Sequence, residues 1–406
     1  MTDDRIPFHR PSIGPAEREA AIEVLESGWL TTGSRTAAFE EAFRSFVGVE
    51  HAVAVNSATA ALHLALEAVG VGEGDEVVVP TYTFAASAEV VAYLRATPVL
   101  VDVDPLTANV TPSALAEARS VRTRAIEVVH IGGLPVDMQG ALDAAGGIPV
   151  VEDTAHAFPS PMAAFDGRFA GTIGRAGAFS FYATKTITTG EGGMLATDDA
   201  TIADRARTMR LHGIGRDAWK RYTAAGSWYY EIEAPGFKDN LTDIAAAIGL
   251  AQLERARELH DARARIARSY LERLQPLAEA GRLALPAGAD DPAHAWHLFV
   301  IRLGPDAHGD SSVDTDLPGV AGLPDALRGV ASHRARAIAS IGAAGIGVSV
   351  HFIPLHLHPL YRRMGYRVGQ FPNAERAYAS AISLPIWPGM TDGEVDRVVA
   401  AVSATV

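Results

Sequence analysis

The chain has 406 residues, of which 48% are hydrophobic and 20% charged, a composition typical of a globular protein with a sizeable core. Its net charge of −13 argues against nonspecific nucleic-acid binding, because that binding relies on basic side chains that neutralise phosphates. The absence of cysteine excludes disulfides and thiolate metal sites. The start, MTDDRIPFHR, lacks the basic and apolar regions of a secretory signal, and no apolar run reaches the roughly 20 residues of a membrane helix. We therefore expect a cytoplasmic protein.

The first half of the chain alternates short apolar segments with helical periodicity. Two amphipathic helices are predicted first, in PAEREAAIEVLESG and TAAFEEAFRSFVG. Strands are predicted in HAVAV, EVVVP, TPVLVDVD, AIEVVHI, IPVVED and GAFSFYA, with helices in ATAALHLALEA and FAASAEVVAYLRA. Short strands that alternate with helices form a mainly parallel sheet covered on both faces. The sequence therefore predicts a large α/β domain.

The pattern changes near residue 245. A long helical stretch from DIAAAIGL to YLERLQPL is followed by predicted strands in AWHLFVIRL and GIGVSVHF and predicted helices in AERAYASAISL and DGEVDRVVAAVS. These elements predict a smaller α+β domain. We assign the N-terminal segment and the large domain to residues 1–260, and the smaller domain to residues 261–406. The Gly-, Asp-, Ser- and Pro-rich segment 303–324 predicts a mobile loop or insertion.

One candidate site lies where the first strand gives way to a helix. Open parallel sheets bind ligands at the carboxyl ends of their strands. Ser57, Ala58 and Thr59 stand at such an end, and the free N–H groups and hydroxyls of a helix start suit a phosphate. The alternative is a plain helix N-cap, since Ser and Thr are common caps.

A second candidate site lies at the end of the strand PVVED. Glu152 and Asp153 close this apolar strand, and His156 follows three residues later. An acid at a buried strand end is costly unless it is paired, and a protonated ring nitrogen of a cofactor would pair with it. The alternative is that Asp153 caps a helix in TAHAF.

A third candidate is the lysine of GAFSFYATKTITTGEGGM. Small, hydroxyl and aromatic residues surround Lys185, and Glu191 is its nearest charged neighbour in sequence. Such surroundings lower the pKa of an amine and suit a Schiff base. The alternative is a lysine whose ammonium reaches water. Together, a phosphate turn, an acid and an isolated lysine meet the needs of pyridoxal phosphate, whose ring acts as an electron sink when its nitrogen stays protonated.

Seven segments resemble the DegT/DnrJ/EryC1/StrS group of nucleotide-sugar aminotransferases. They are NSATAALHLAL, VPTYTFAASA, PVLVDVD, VEDTAHA, SFYATKTITTGEGGM, APGFKDNLTDIAAAIGLAQLER and GIGVSVHFIPLHLHPLYR. The resemblance runs from SGWLTTG to SLPIWPGMTDGEVDRV. It implies the fold type I of transferases that depend on pyridoxal phosphate, and a homodimer with shared active sites. It also implies ping-pong transfer of an amino group from an amino acid, with L-glutamate expected, to a nucleotide-linked ketosugar. Neither nucleic acid nor membrane is an expected partner.

The resemblance also implies roles for single residues. Lys185 matches the lysine that binds the cofactor aldehyde, Asp153 the partner of the pyridine nitrogen, and His156 the residue on the hydroxyl side of the ring. The further cofactor-binding positions are Ser57, Ala58 and Thr59 in the phosphate turn, Phe84 on the pyridine face, Ser180 as another phosphate ligand, and Lys238, which reaches the phosphate of a neighbouring subunit. Substrate contacts are expected from Trp29, Thr32, Glu191 and His351.

The chain departs from the family pattern at three positions. Ala58 stands where glycine is common, Lys238 where asparagine usually reaches the phosphate, and Asn240 where arginine is usual. A lysine suits contact with a phosphate at least as well as an asparagine does. Asn240 cannot reproduce the charged contacts of that arginine.

Other functions compete with this one. A ketocyclitol aminotransferase or an aromatic amino-acid synthase of the same family fits the same motifs, whereas the dehydratase branch carries histidine in place of Lys185. A regulator that binds pyridoxal phosphate without catalysis would need a DNA-binding region, and residues 1–28 are too short and acidic for one. His351, His356 and His358 have a spacing that could bind metal, but no acidic partner lies in their stretch, and we predict no metal site.

Overall fold

The structure is a computed structural model that describes residues 5–215, 229–304 and 312–406. Its helices are α1 (Pro15–Ser27), α2 (Ser34–Val47), α3 (Ala58–Ala68), α4 (Ala85–Tyr93), α5 (Pro112–Ala118), α6 (Met138–Ala145), α7 (Ala200–Met209), α8 (Asp243–Glu254), α9 (Ala256–Glu279), α10 (Asp325–Ala343), α11 (Pro359–Arg363), α12 (Pro372–Ser380) and α13 (Asp392–Thr405). Its strands are β1 (His51–Val55), β2 (Glu76–Pro80), β3 (Thr97–Val101), β4 (Thr123–Val129), β5 (Val150–Asp153), β6 (Ala176–Ser180), β7 (Gly193–Thr197), β8 (Leu283–Ala284), β9 (Phe299–Leu303) and β10 (Ala381–Leu384). No helix in these ranges combines the length and apolar character needed to cross a membrane.

Seven strands form one mixed, mainly parallel sheet in the order β1-β7-β6-β5-β4-β2-β3. The strands from β6 to β3 pair in parallel, whereas β7 is antiparallel to both β1 and β6. β1 therefore runs in the same direction as β6, and the carboxyl ends of six strands meet at one edge. This confirms the predicted α/β fold class. The sequence does not predict β7, because its apolar residues follow the GEGG run directly.

Helices cover both faces of this sheet. In β2, Val77 and Val79 pack into the cluster with α3, α4 and α7, whereas Val78 packs into the cluster with α5 and α6. Phe179 of β6 faces α2 and α8 on the same side as Val78. Successive side chains of a strand point to opposite faces, so a strand covered on both sides needs an unbroken apolar run. This explains why Val77, Val78 and Val79 form an unbroken apolar run rather than an alternation of apolar and polar residues.

A second, smaller sheet lies in the C-terminal part of the chain. β8, β9 and β10 pair antiparallel in the order β10-β9-β8. Phe299 and Ile382 from these strands pack with Ile266 of α9, Ile341 of α10 and Val398 of α13. The smaller α+β unit is therefore present. The boundary after residue 260 remains a prediction, and it would fall inside α9.

The structure corrects three predicted elements in this part of the chain. The long helix is two helices, α8 and α9, because Arg255 between them has φ −100° and ψ 4°. The predicted helix in AERAYASAISL ends at Ser380, and its last four residues form β10 instead. The segment GIGVSVHF, predicted as a strand, forms only isolated β-bridges, of Ile346 with Ile6 and of Ser349 with Ser383. These bridges join it to two different segments, so no continuous ladder forms. Within the predicted loop 303–324, residues 305–311 lie outside the described residues.

Gly177 provides a test of how closely β6 packs against the loop before it. A Cβ at this position would lie 2.0 Å from the carbonyl oxygen of Gly171, a backbone atom that cannot rotate away. We expect Gly177→Ala to lower the free energy of unfolding by about 1–3 kcal/mol, as overpacking usually does. Gly72→Ala is the control, since nothing lies within 4 Å of a Cβ there. Equal urea midpoints for the two variants would contradict the prediction.

Candidate active site

A cavity of about 440 Å³ opens at the carboxyl edge of the large sheet. Ten of the residues predicted for the site line it: Ser57, Ala58, Thr59, Phe84, Asp153, His156, Ser180, Lys185, Glu191 and His351. Most come from the ends of β1, β2, β5 and β6 and from the loops beyond, and His351 comes from the C-terminal part, which explains why positions far apart in sequence meet here. Trp29, Thr32 and Lys238 are not among the residues that line the cavity.

The turn between β1 and α3 forms one wall. Ser57 is the N-cap of α3, since its side chain accepts a hydrogen bond from the Ala60 N–H at 3.1 Å. This hydroxyl therefore caps the helix, while its contact with a phosphate stays a prediction. The N–H groups of Ala58 and Thr59 have no partner among the described residues. Free N–H groups at the positive end of a helix attract anions.

Gly193 lets this turn pack against the start of β7. A Cβ on Gly193 would lie 2.4 Å from the carbonyl carbon of Ser57 and 2.6 Å from the nitrogen of Ala58. Only a residue without a side chain leaves room for the turn in this position. The last glycine of the GEGG run thus shapes the wall that this turn forms, although it lies in the strand after the loop.

Asp153 ends β5 and points into the cavity wall. Its Oδ2 accepts a hydrogen bond from Ser87 Oγ at 2.9 Å, and its Oδ1 accepts one from the Ala155 N–H at 3.0 Å. No helix begins here, so the helix-cap alternative for Asp153 is wrong. Burial raises the pKa of Asp153, while these hydrogen bonds and the nearby Lys185 work in the opposite direction. A carboxylate so placed is stabilised by a cation.

Lys185 lies in the loop between β6 and β7 with its amine at the cavity. Burial lowers its pKa to about 8, and the Arg263 cation contributes, whereas Asp153 acts in the opposite direction. Its Nζ lies 3.4 Å from Nε2 of His297. The amine therefore faces a built cavity rather than bulk water, which excludes the alternative of a solvated surface lysine.

His156 faces the same cavity as a neutral imidazole. Its Nδ1 accepts a hydrogen bond from the Gly132 N–H at 3.3 Å, so its proton resides on Nε2. Burial lowers the pKa of His156 well below its ordinary value, and Lys185 lowers it further. The ring stacks on Phe352 with centroids 5.6 Å apart. His156 is thus held as a hydrogen-bond donor through Nε2.

The structure adds cavity residues that the sequence does not single out. Phe8 and His9 arrive from the N-terminal segment, and His297 and Phe352 from the C-terminal part. Phe8 stacks on His351 with centroids 5.4 Å apart. A histidine that interrupts the apolar run AWHLFVIRL marks His297 as unusual without placing it at the cavity, and nothing local in PFHR indicates the cavity.

Of the remaining predicted positions, Glu191 lines the cavity, whereas Trp29, Thr32 and Lys238 lie outside it. Lys238 is exposed, and its ammonium donates a hydrogen bond to Oδ1 of Asn240. Nδ2 of Asn240 in turn donates to Oγ1 of Thr32 at 2.7 Å. Trp29 donates through Nε1 to the carbonyl of Thr32 at 3.2 Å. The backbone carbonyl of Glu191 accepts a hydrogen bond from Thr189 Oγ1 within the loop.

The remaining histidines of the SVHFIPLHLHP segment have separate positions. His356 is buried between Thr81 Oγ1 and Glu375 Oε1, each 2.8 Å away, and His358 precedes α11 as its N-cap. His351 lines the cavity and contacts Ser383 through Nδ1 at 2.8 Å. Across the described ranges, no group of three or more His, Asp or Glu side chains has an arrangement suited to a metal ion.

Known proteins resemble this chain along most of its length. The sequence model of the DegT/DnrJ/EryC1/StrS aminotransferase family matches residues 11–317 and 322–403. The spore coat polysaccharide biosynthesis protein SpsC of Bacillus subtilis (strain 168) is 44% identical over 401 residues, which are 98% of this chain and 96% of SpsC.

Two solved structures share the fold across almost the whole chain. Spr1654 from Streptococcus pneumoniae in its PLP form is 29% identical with a TM-score of 0.83, and the alignment covers 99% of this chain and 100% of that one. PseC from Helicobacter pylori, an aminotransferase involved in the biosynthesis of pseudoaminic acid, is 25% identical with a TM-score of 0.86 and 99% coverage of both chains. This chain belongs to the DegT/DnrJ/EryC1/StrS aminotransferase family and is an aminotransferase whose cofactor is pyridoxal phosphate.

Proposed function

We propose that this enzyme moves an amino group from an amino acid, with L-glutamate as donor, to a nucleotide-linked ketosugar. The sequence is ping-pong: the keto acid leaves before the ketosugar binds and is converted to an aminosugar. The names of SpsC and PseC, which concern polysaccharide and pseudoaminic acid biosynthesis, support a sugar acceptor. The observation that carries the proposal is the meeting of Lys185, Asp153 and the start of α3 in one cavity. A ketocyclitol acceptor is the alternative that remains.

The residues of the cavity suit pyridoxal phosphate at each of its polar ends. The N–H groups of Ala58 and Thr59, which have no partner in the described part of the chain, suit the phosphate. The buried carboxylate of Asp153 suits a protonated pyridine nitrogen, and the amine of Lys185 suits the aldehyde. Phe84 lines the cavity and is 61% exposed as a residue, which leaves an aromatic face free for a flat ring. When bound, the cofactor supplies an electron sink for the carbanion formed at the substrate carbon.

The chain's own residues handle the protons. Because the pKa of Lys185 is about 8, roughly a tenth of its amines are neutral at pH 7, compared with far fewer for an ordinary lysine. The neutral amine accepts a proton from the substrate carbon and returns it, acting at Nζ. The Asp153 carboxylate would stabilise the protonated form of the pyridine nitrogen. His156 donates a hydrogen bond from Nε2. Glu191 and His351 line the cavity and are proposed as substrate contacts.

We also propose that two chains share each active site. Lys185 is the one lysine or arginine among the described residues that line the cavity, so an anionic cofactor and substrate need positive charge from outside it. Lys238 is exposed and lies outside its own cavity, which suits a contact with the phosphate bound by a second subunit. In this arrangement Thr32 and Asn240 position the lysine, and Trp29 holds Thr32.

A substrate panel tests the proposed function. Purified enzyme loaded with cofactor is incubated with L-glutamate and a series of nucleotide-linked ketosugars and free ketocyclitols, and the aminated products are identified by mass spectrometry. We expect amination of at least one nucleotide-linked ketosugar, and none with Lys185→Ala, which retains the anion-binding turn and therefore still binds cofactor. Amination of ketocyclitols alone would favour the alternative.

Asp153→Asn tests the role of the buried acid. The amide keeps the size of the side chain but cannot hold a ring nitrogen protonated, so we expect the variant to bind cofactor with turnover reduced on the order of 10²-fold or more. Asp137→Asn is the matched control, because Asp137 caps α6 and does not line the cavity. Its rate is expected to stay close to that of the unchanged enzyme, and a near-normal rate in Asp153→Asn would show that Asp153 is only structural.

Subunit exchange tests the shared site. Lys185→Ala and Lys238→Ala proteins are each expected to be inactive at low cofactor concentration, and they are mixed under conditions that exchange subunits. One of the two sites in each mixed dimer is then intact, so random exchange restores about a quarter of the unmodified activity. Absence of recovery, with unchanged cofactor affinity of Lys238→Ala by itself, would reject the shared site.

A further inference from the structure

The imidazole of His297 contacts the amine of Lys185 inside the cavity. Nε2 of His297 lies 3.4 Å from Nζ of Lys185, and the His297 side chain is buried. Its ring also lies against that of His156, with centroids 4.4 Å apart. The proton transfers proposed above assign no part to His297, although it is the hydrogen-bonding neighbour of the reactive amine.

The backbone around His297 is held in an unfavourable conformation. Trp296, directly before it, has φ 51°, a value that bulky residues rarely adopt. The loop at Gly133 packs closely against this segment. The N–H of Ala295 donates to the carbonyl of Gly133 at 2.8 Å, and a Cβ on Gly133 would lie only 3.0 Å from the backbone nitrogen of His297. Such strain persists only where the surroundings fix the segment firmly. The fold therefore sets the position of His297 with little freedom.

One buried guanidinium ties His297 to the lysine loop. Arg263 donates to the carbonyl of Thr184 at 3.1 Å and to the carbonyl of His297 at 3.4 Å. Thr184 directly precedes Lys185, so a single side chain fixes the spacing between the two segments that carry the amine and the imidazole. This link makes the contact between Lys185 and His297 a feature of the fold rather than a chance approach.

The protonation of His297 depends on Lys185. Burial lowers the pKa of His297 well below its ordinary value, and the Lys185 cation lowers it further, so the ring is neutral. Its Nδ1 is buried and has no hydrogen-bond partner among the described residues, so nothing on that side selects the tautomer. An ammonium has donors and no acceptor, and it therefore selects the tautomer with a lone pair on Nε2. The other charged or titratable groups that face Lys185 are Asp153, Arg263, His9, His156 and His351.

We propose that His297 is a positioning residue that accepts a hydrogen bond from the ammonium of Lys185 whenever that amine is not bonded to the cofactor. The contact holds the released amine at one wall of the cavity and stabilises its protonated form. The catalytic importance of Lys185 rests on the proposed function, whereas the contact between His297 and Lys185 does not depend on it. Loss of the acceptor should lower the pKa of Lys185, because burial would then act against the ammonium with one hydrogen bond fewer.

The test measures the titration of Lys185 in the full-length protein freed of cofactor. Trace acetic anhydride labels neutral amines, and mass spectrometry of the peptides gives the labelling rate at each pH. The chain has three lysines, Lys185, Lys220 and Lys238, and because Lys238 is proposed to reach a second subunit's site, an added lysine-containing peptide serves as the solvent-exposed reference. His297→Leu removes the acceptor, and His297→Gln retains one near the place of Nε2. We expect the Lys185 midpoint to fall by about one pH unit in His297→Leu and by less than about 0.3 in His297→Gln.

His260→Gln is the control for general disturbance of the segment. Nε2 of His260 lies 3.3 Å from the carbonyl of His294 but does not line the cavity, so its variant should leave the Lys185 midpoint unchanged. An unchanged midpoint in His297→Leu would overturn the proposal, as would equal shifts in the Leu and Gln variants. If circular dichroism shows that His297→Leu does not fold, His297→Met replaces it under the same criteria. A failed substrate panel with an intact midpoint shift would reject the proposed function but not this contact.

Discussion

The site depends on one electrostatic constraint: a carboxylate and an amine face a cavity whose walls are largely apolar. Burial disfavours the charged form of each, raising the pKa of Asp153 and lowering that of Lys185, while each charge stabilises the other. Such interactions are stronger in a low-dielectric cavity than in water. The surrounding imidazoles stay neutral and add hydrogen bonds without adding charge. The result is an amine that changes protonation near neutral pH, as proton transfer requires.

Two adjacent acids at the end of β5 divide the structural and chemical tasks. Glu152 and Asp153 point to opposite faces of the sheet. Glu152 accepts from the N–H groups of Gly171, Ile173 and Gly174 at 2.6–2.8 Å and contacts Nε2 of His130 at 3.0 Å. These contacts outweigh the effect of burial, so the pKa of Glu152 is lowered. Glu152 thus fixes the loop beneath the sheet, and Asp153 remains available to the cavity.

Local sequence signals predicted much of this structure. Apolar runs bounded by turns gave the parallel strands, and the motifs around Ser57, Asp153 and Lys185 identified residues that line a single cavity. Residue type alone does not separate Glu152 from Asp153. The family resemblance singled out Asp153, and the structure adds the loop contacts that occupy Glu152.

The features that the sequence missed depend on distant contacts. Phe8 and His9 reach the cavity because Ile6 exchanges two backbone hydrogen bonds with Gly345 and Gly347, at 2.9 and 2.7 Å. His297 is hidden in an apolar run whose strand begins only at Phe299, since the residues before it bond to a glycine loop far earlier in the chain. No local pattern encodes such pairings.

The direction of β7 has a consequence for how the enzyme can vary among relatives. A parallel neighbour would need a crossover of a dozen or more residues to return the chain. Because β7 is antiparallel to β6, the lysine loop is instead a hairpin, closed by bonds from the Phe181 N–H to the Gly192 carbonyl at 2.8 Å and from the Thr189 N–H to the Phe181 carbonyl at 3.0 Å. An inserted or deleted residue inside this closed loop would shift the amine relative to the acid at the end of β5. Length changes are therefore more readily accommodated in connections outside the hairpin, so evolution can alter the rim of the cavity while the reach of its lysine stays constant.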